Sequence, residues 1–216
     1  ISFTVRKGEI LAVSGLVGAG RTEVFKTVFG ITRPEPGGQM FVEGKEVDIT
    51  DPRTAIKLGP GYVSEERRHD GITPGMSVME NLVLPSYDQL KKNGLIDYKK
   101  AAEVTDKYID RFHIKTAGRD ALIKNLSGGN QQKVIVARWM AKGIKMLIMD
   151  EPTRGIGDNA KAEIHALVRE LADNGVAVVV ISSEMEEVLA LGDSIIAVHT
   201  GKNNGSQDDV DGVTEE

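Results

Sequence analysis

Two uninterrupted apolar runs constrain this chain most. Met146, Leu147, Ile148 and Met149 follow one another without a polar residue, and so do residues 176–181, all Val, Ala or Ile. A strand with one solvated face alternates. A short continuous run reads as a strand buried on both faces, the mark of a parallel sheet covered by helices. Residues 158–173 read as the helix linking the two runs. Near the start, a strand over residues 9–14 feeds Gly15, Leu16, Val17, Gly18, Ala19, Gly20, Arg21 and Thr22, followed by a helix over 21–29. A glycine-rich turn opening a helix offers unpaired backbone N–H groups to an anion. The spacing fits the phosphate-loop pattern, with Arg21 where that pattern has lysine. The fold class expected is α/β, a P-loop NTPase.

The remaining elements follow from local signals. Ile1, Phe3 and Val5 alternate as in a half-buried strand, and Ile1, which is not a Met, reads as mid-strand, so the chain is expected to be a piece of a longer polypeptide. Residues 39–47 predict a hairpin around Glu43 and Gly44, Asp51 and Pro52 a helix start, and residues 61–64 a short strand. Residues 67–125 change to helical spacing, as in Ala101, Val104, Tyr108 and Phe112, with a capping box at Ser77 and Glu80; they read as an inserted helical subdomain. Ser127 is expected to cap a helix reaching about Lys142, and residues 194–198 form the last strand. Trp139 reads as core packing.

Composition excludes several function classes. The net charge is −5, but residues 201–216 hold five acids (Asp208, Asp209, Asp211, Glu215, Glu216) and one base, Lys202, which leaves the body near −1. That argues against a nucleic-acid footprint and predicts a polar, disordered acidic tail. The absence of cysteine excludes disulfides and thiolate metal sites, and His69, His113, His165 and His199 are scattered without metal-ligand spacing. No apolar run approaches the roughly 20 residues of a membrane span, and no signal peptide is visible, so a membrane role requires a partner. No Asn-Lys-x-Asp guanine motif points to a GTPase.

Two further motifs complete the set. Leu126, Ser127, Gly128, Gly129, Asn130, Gln131 and Gln132 open a helix, and Asp150, Glu151, Pro152 and Thr153 follow the first apolar run. With the phosphate loop they make the chain resemble the ATP-binding subunit of an ABC transporter. Residues 15–23, 61–67, 130–134 and 150–156 resemble the second half of the tandem ATPase of ribose- and galactose-type sugar importers, and the resemblance spans roughly residues 1–200. It implies a RecA-like core, an antiparallel β flank near the N-terminus and the helical subdomain at about 67–125. ATP and Mg²⁺ are the implied ligands. Gly15, Leu16, Val17, Gly18, Ala19, Gly20, Arg21, Thr22 and Glu23 would surround the phosphates, Thr22 and Asp150 would serve Mg²⁺, and Glu151 would orient or activate water. Ser127, Gly128 and Gly129 would serve a nucleotide held by a second ATPase half; the plain alternative for Ser127 is a helix N-cap.

Four positions depart from an active member of that family. Arg21 replaces the loop lysine, Glu65 aligns with the glutamine of the Q-loop, Gly157 with an aspartate after the Walker B-like segment Leu147 to Glu151, and Ser183 with the switch histidine. Together they predict a site that binds ATP but turns it over poorly. The implied partners are a second ATPase half, membrane permease subunits and, indirectly, a periplasmic sugar-binding protein, at the cytoplasmic face of the inner membrane. Residues 65 to about 90, with Val78, Leu82 and Leu84, are expected to meet the permease. The alternatives are a non-catalytic nucleotide sensor and a soluble, non-transport ABC ATPase. The sequence does not name the sugar.

Overall fold

The structure, a computed structural model, describes residues 1–16, 18–34 and 37–199, and the backbone alone of 202–207. Its central sheet follows from the apolar runs. β1 (Ile10–Ser14), β7 (Met146–Asp150) and β8 (Ala177–Ile181) are buried almost throughout. β8 lies between β1 and β7, parallel to both, with Ile10 opposite Val178 and Met146 opposite Ala177. β9 (Ser194–His199) runs parallel to β1 on its other side, and β10 (Lys202–Gln207) is antiparallel to β9. β4 (Pro60–Val63) lies beside β7, so the six-stranded order is β10-β9-β1-β8-β7-β4. The polar tail expected from residue 201 is thus in part a strand; its residues 208–216 lie outside the described residues.

The chain divides into two compact units: Ile1–Tyr62 with Ile144–Pro152 and the chain from Val168 onward, and Val63–Gly143 with Thr153–Leu167. The first holds most of the sheet, α1 (Arg21–Val28), α2 (Pro52–Leu58) and α7 (Met185–Leu191). It also holds the hairpin of β2 (Met40–Val42) and β3 (Lys45–Val47), a separate two-stranded sheet turning at Glu43 and Gly44. The Asp51 carboxylate accepts the N–H groups of Arg53 and Thr54 and caps α2. Residues 1–6 are not a strand. Phe3 and Val5 are half-buried as the alternation requires, and Phe3 packs on Phe25 with ring centroids 5.2 Å apart. An alternating pattern selects a face, but a strand also needs a neighbour to bond.

The second unit carries α3 (Val78–Val83), the short hairpin of β5 (Lys91–Lys92) and β6 (Leu95–Ile96), α4 (Tyr98–Arg111) and α5 (Gly128–Lys142). α6 (Asp158–Asp173) begins in this unit and ends in the first. Val78 and Leu82 are fully buried, whereas Leu84 is exposed. The first two are therefore core residues and not the docking side chains expected from the sequence.

Both halves of the capping box at α3 are present: the Glu80 N–H donates to Ser77 Oγ, and Glu80 accepts the Ser77 N–H at 2.7 Å. The Ser77 N–H, and the Ser77 hydroxyl that donates to the same carboxylate at 2.8 Å, hold the Glu80 carboxyl below its usual range. Ser77→Ala is expected to cost about 1 kcal/mol in urea unfolding. A carboxylate with a lowered folded pKa stabilises above its unfolded pKa and loses that contribution as pH falls through the folded value. The gap between wild type and the variant should therefore narrow below about pH 4. Among the described residues, no helix is long and apolar enough to cross a membrane.

Candidate functional site

The glycine-rich loop links β1 to α1. Gly15, Gly18 and Gly20 have φ of 153°, 82° and 87°, a region that favours glycine. A Cβ on Gly15 would lie 2.4 Å from the Val198 carbonyl oxygen, so close backbone approach requires glycine there as well. A Cβ on Gly18 would meet nothing within 4 Å, which leaves that backbone open to an incoming group. The loop ends at the N-terminus of α1, where unpaired N–H groups and the helix dipole favour an anion. Ala19 is buried, Leu16 and Glu23 are exposed, and Val17 lies outside the described residues.

Asp150 ends β7 almost fully buried. Tyr62 donates its hydroxyl to Asp150 Oδ2 at 2.8 Å, and Thr22 Oγ1 donates to Oδ1 at 3.2 Å. Burial pushes the Asp150 carboxyl above its usual range, against the pull of those two hydrogen bonds and of the Lys26 and Arg21 charges. Mg²⁺ is typically held by one or two protein oxygens together with water and phosphate. A hydroxyl and a carboxylate at 3.2 Å, the hydroxyl two residues after Gly20, suit that ion. Tyr62 was not singled out from the sequence. A buried tyrosine in the strand Pro60–Val63 needs a partner for its hydroxyl, and that was the available signal.

Arg21 is buried, and its guanidinium is engaged on two sides. Nη1 donates to the Ser182 carbonyl oxygen at 2.5 Å, and Nη2 pairs with Glu151 Oε1 at 3.4 Å. Glu151 has φ 47°, left-handed for a non-glycine residue, and its N–H donates to the Ile181 carbonyl at 2.8 Å. Strained backbone of this kind costs of order 1–3 kcal/mol and clusters at functional sites. Ser182, missed by the sequence reading, supplies the carbonyl that holds Arg21. Ser183, the residue singled out, is exposed just beyond it.

The other proposed site residues lie in the second unit. Glu65 forms an ion pair with Arg154. Ser127 precedes α5, yet its hydroxyl makes no capping bond; Oγ instead accepts from Asn130 Nδ2 at 2.8 Å. Gly128 and Gly129 have packing reasons of their own. A Cβ on Gly129 would fall 2.7 Å from the Ala160 Cβ, and one on Gly128 would fall 2.8 Å from Arg67 Nη2. Gly157 accepts the N–H groups of Ala160 and Lys161 through its carbonyl as α6 begins. Among the described residues no group of three His, Cys, Asp or Glu side chains could hold a metal ion.

Known proteins resemble this chain in sequence and in fold. The chain is 46% identical over 205 residues to the ribose import ATP-binding protein RbsA of Bacillus subtilis, covering 95% of this chain and 41% of that protein. It is 45% identical, with the same coverage, to the xylose import ATP-binding protein XylG of Thermoanaerobacter pseudethanolicus. The chain thus spans about two fifths of the length of these relatives. Among solved structures, the dimeric post-hydrolysis state of the ATP-binding cassette MJ0796 bound to ADP and Pi superposes with a TM-score of 0.80 at 19% identity, covering 96% of this chain and 88% of that one. A nucleotide-free ATP-binding cassette from an ABC transporter gives 0.79 at 20% identity, covering 95% and 83%. At such identities the likeness establishes the fold, an α/β P-loop NTPase. The family model described as ABC transporter matches residues 1–154. With that match covering most of its residues, this chain belongs to the ABC transporter family.

Proposed function

We propose that this chain is one ATP-binding half of a sugar importer's motor, with a weakened site of its own and a signature motif, Leu126 to Gln132, that serves the nucleotide of a second half. The observation that carries this reading is the contrast inside the first unit. The Thr22–Asp150 oxygen pair is in place, while the loop cation, Arg21, is committed to Ser182 and Glu151.

On this reading the loop N–H groups and the α1 N-terminus receive the phosphates. Thr22 and Asp150 would hold Mg²⁺, which would supply positive charge to offset the phosphates, and Tyr62 fixes the Asp150 carboxylate in place. Glu151 is the group to orient attacking water, but its carboxylate is turned to Arg21. Arg21 is a planar fork that pairs in the plane of a carboxylate or carbonyl, whereas lysine is a compact point charge able to follow a moving phosphate. Ser183 offers a short hydroxyl where the family's histidine would reach the γ-phosphate, and Glu65, tied to Arg154, offers a carboxylate in place of an amide. The sugar class is suggested by the ribose and xylose import relatives. Permease subunits, a second ATPase half and, indirectly, a periplasmic sugar-binding protein complete the proposed assembly, with this chain peripheral on the cytoplasmic face of the membrane. The permease contact is assigned to exposed Thr73, Pro74, Gly75 and Leu84. The Arg21–Glu151 pair also favours a second reading, a nucleotide sensor without turnover of its own.

The purified chain is expected to bind Mg-ATP and to hydrolyse it much more slowly than one per second. Equilibrium binding and steady-state phosphate release, measured separately, check this. Turnover of several per second, within the ordinary range of enzymes, would overturn the weakened site. Binding with no measurable turnover, in the chain and in any assembly containing it, would favour the sensor.

A further inference from the structure

The β5–β6 hairpin and the start of α4 combine two features that folding alone does not call for. Lys91 pairs with Ile96 and Lys92 with Leu95 across the ladder. Asn93 and Gly94, with φ of 53° and 83°, make the tight turn between them. Residues paired across a ladder share a face, so Leu95 stands beside Lys92. Leu95 is 76% exposed and Tyr98 66% exposed, and Lys91, Lys92, Lys99 and Lys100 are exposed around them. Among residues 91–100 the only acid is Asp97, which leaves four positive charges against one negative.

That aspartate is occupied as the cap of α4, accepting the Lys100 N–H at 3.1 Å. The nearest acid before the hairpin, Asp88, is paired with Lys142 at 2.7 Å. Lys100 Nζ donates to the Gln89 carbonyl, and Lys91, Lys92 and Lys99 have no carboxylate partner among the described residues. Lys99 and Lys100 also stand in the first turn of α4, which contains no acid. Cations there oppose the helix dipole and lower helix stability. A chain whose body is near neutral therefore gathers four lysines at one tip, three of them without a carboxylate partner among the described residues, around two bared apolar side chains.

We infer that this tip docks on an anionic phospholipid surface. Leu95 and the Tyr98 ring would enter the headgroup boundary, while the lysines reach lipid phosphates on their flexible stems. Each lysine near such a surface adds attraction that decays within a Debye length. Exposed apolar side chains among lysines suit a headgroup layer, which takes up both, better than an acidic peptide, which answers only the charge. The inference does not depend on the transport role proposed above, and its test needs neither nucleotide nor permease.

Flotation of the chain with vesicles of mixed phosphatidylglycerol and phosphatidylcholine, and of phosphatidylcholine alone, provides that test. Binding is expected only with the anionic vesicles and should weaken strongly at about 0.5 M salt, where charge is screened over a few ångströms. K91E/K92E should reduce it at least about tenfold, and Leu95→Ser should reduce it severalfold. All these residues are exposed, so the variants should unfold like the wild type. K45E/K57E makes the same change in net charge on the first unit and should leave binding unaltered. Failure to bind anionic vesicles, or equal losses in the two double variants, would overturn the inference. So would retention by an immobilised polyglutamate peptide without vesicle binding, which would identify an acidic protein as the partner.

Discussion

Ser127→Arg is expected to lower ATP turnover of the assembled two-half motor by about a hundredfold, roughly 2.7 kcal/mol of barrier. The Ser127 hydroxyl is not used to cap α5. It accepts from Asn130 Nδ2 at 2.8 Å, and its own proton remains for another acceptor. In the proposed assembly that acceptor is a phosphate oxygen on the partner half. A long guanidinium at this position fills the space a nucleotide needs, even though its charge suits phosphate. Arg21→Ala touches only the chain's own weakened loop and should cost much less, within about tenfold. Steady-state assays on both variants decide. Equal losses, or a larger loss from Arg21→Ala, would refute the division of labour.

Arg138→Ala should be strongly destabilising, about 3–5 kcal/mol, which corresponds to roughly 10 °C in Tm for a chain of this size. Arg138 is buried on α5 and donates Nε to the Asn81 carbonyl and Nη1 to the Gly71 carbonyl, each at 2.7 Å, and Nη2 to Asn81 Oδ1 at 3.3 Å. Asn81, itself fully buried, accepts the Thr73 N–H and donates to the carbonyls of Thr73 and Ser77. One guanidinium thus joins α5, α3 and the segment before α3. Burial pushes its pKa down to about 10, still charged at neutral pH. Truncation takes the Arg138 donors from the Gly71 and Asn81 carbonyls and opens a cavity. Arg138→Met restores most of the volume and none of the bonds, so it should recover only a minor part of the loss. Urea denaturation of both variants tests this, and a cost below about 1 kcal/mol for Arg138→Ala would refute it.

The sheet was legible because its signal is redundant. Met146, Leu147, Ile148 and Met149 cannot be solvated in any register, and the Asp51-Pro52 start and the Ser77–Glu80 box are complete within a few residues. The misses lie where an outcome depends on a distant neighbour. Phe3 and Val5 show a strand's alternation, but pairing needs an adjacent edge that the pattern does not report. Val78 and Leu82 were expected on a docking face, but apolar residues of a short helix suit a core as well, and the packing of the second unit buries both. The β5–β6 hairpin went unread although Asn93-Gly94 is a strong turn signal, because its strands are two residues each. At the site, the phosphate loop, Asp150 and Glu151 were visible as motifs. Tyr62 and the Ser182 carbonyl were not, since a hydroxyl bond across 88 positions and a backbone oxygen leave no mark in residue spacing.

Glu151 carries a consequence for engineering. At φ 47° a glycine would rest without strain, and an asparagine with less. A selection scored by heat resistance alone would therefore tend to replace this residue, and each round would look like progress. The carboxylate would be lost with it, and Arg21 would lose its charged partner. A library built on this scaffold should hold position 151 fixed, or be sorted on nucleotide handling before it is heated.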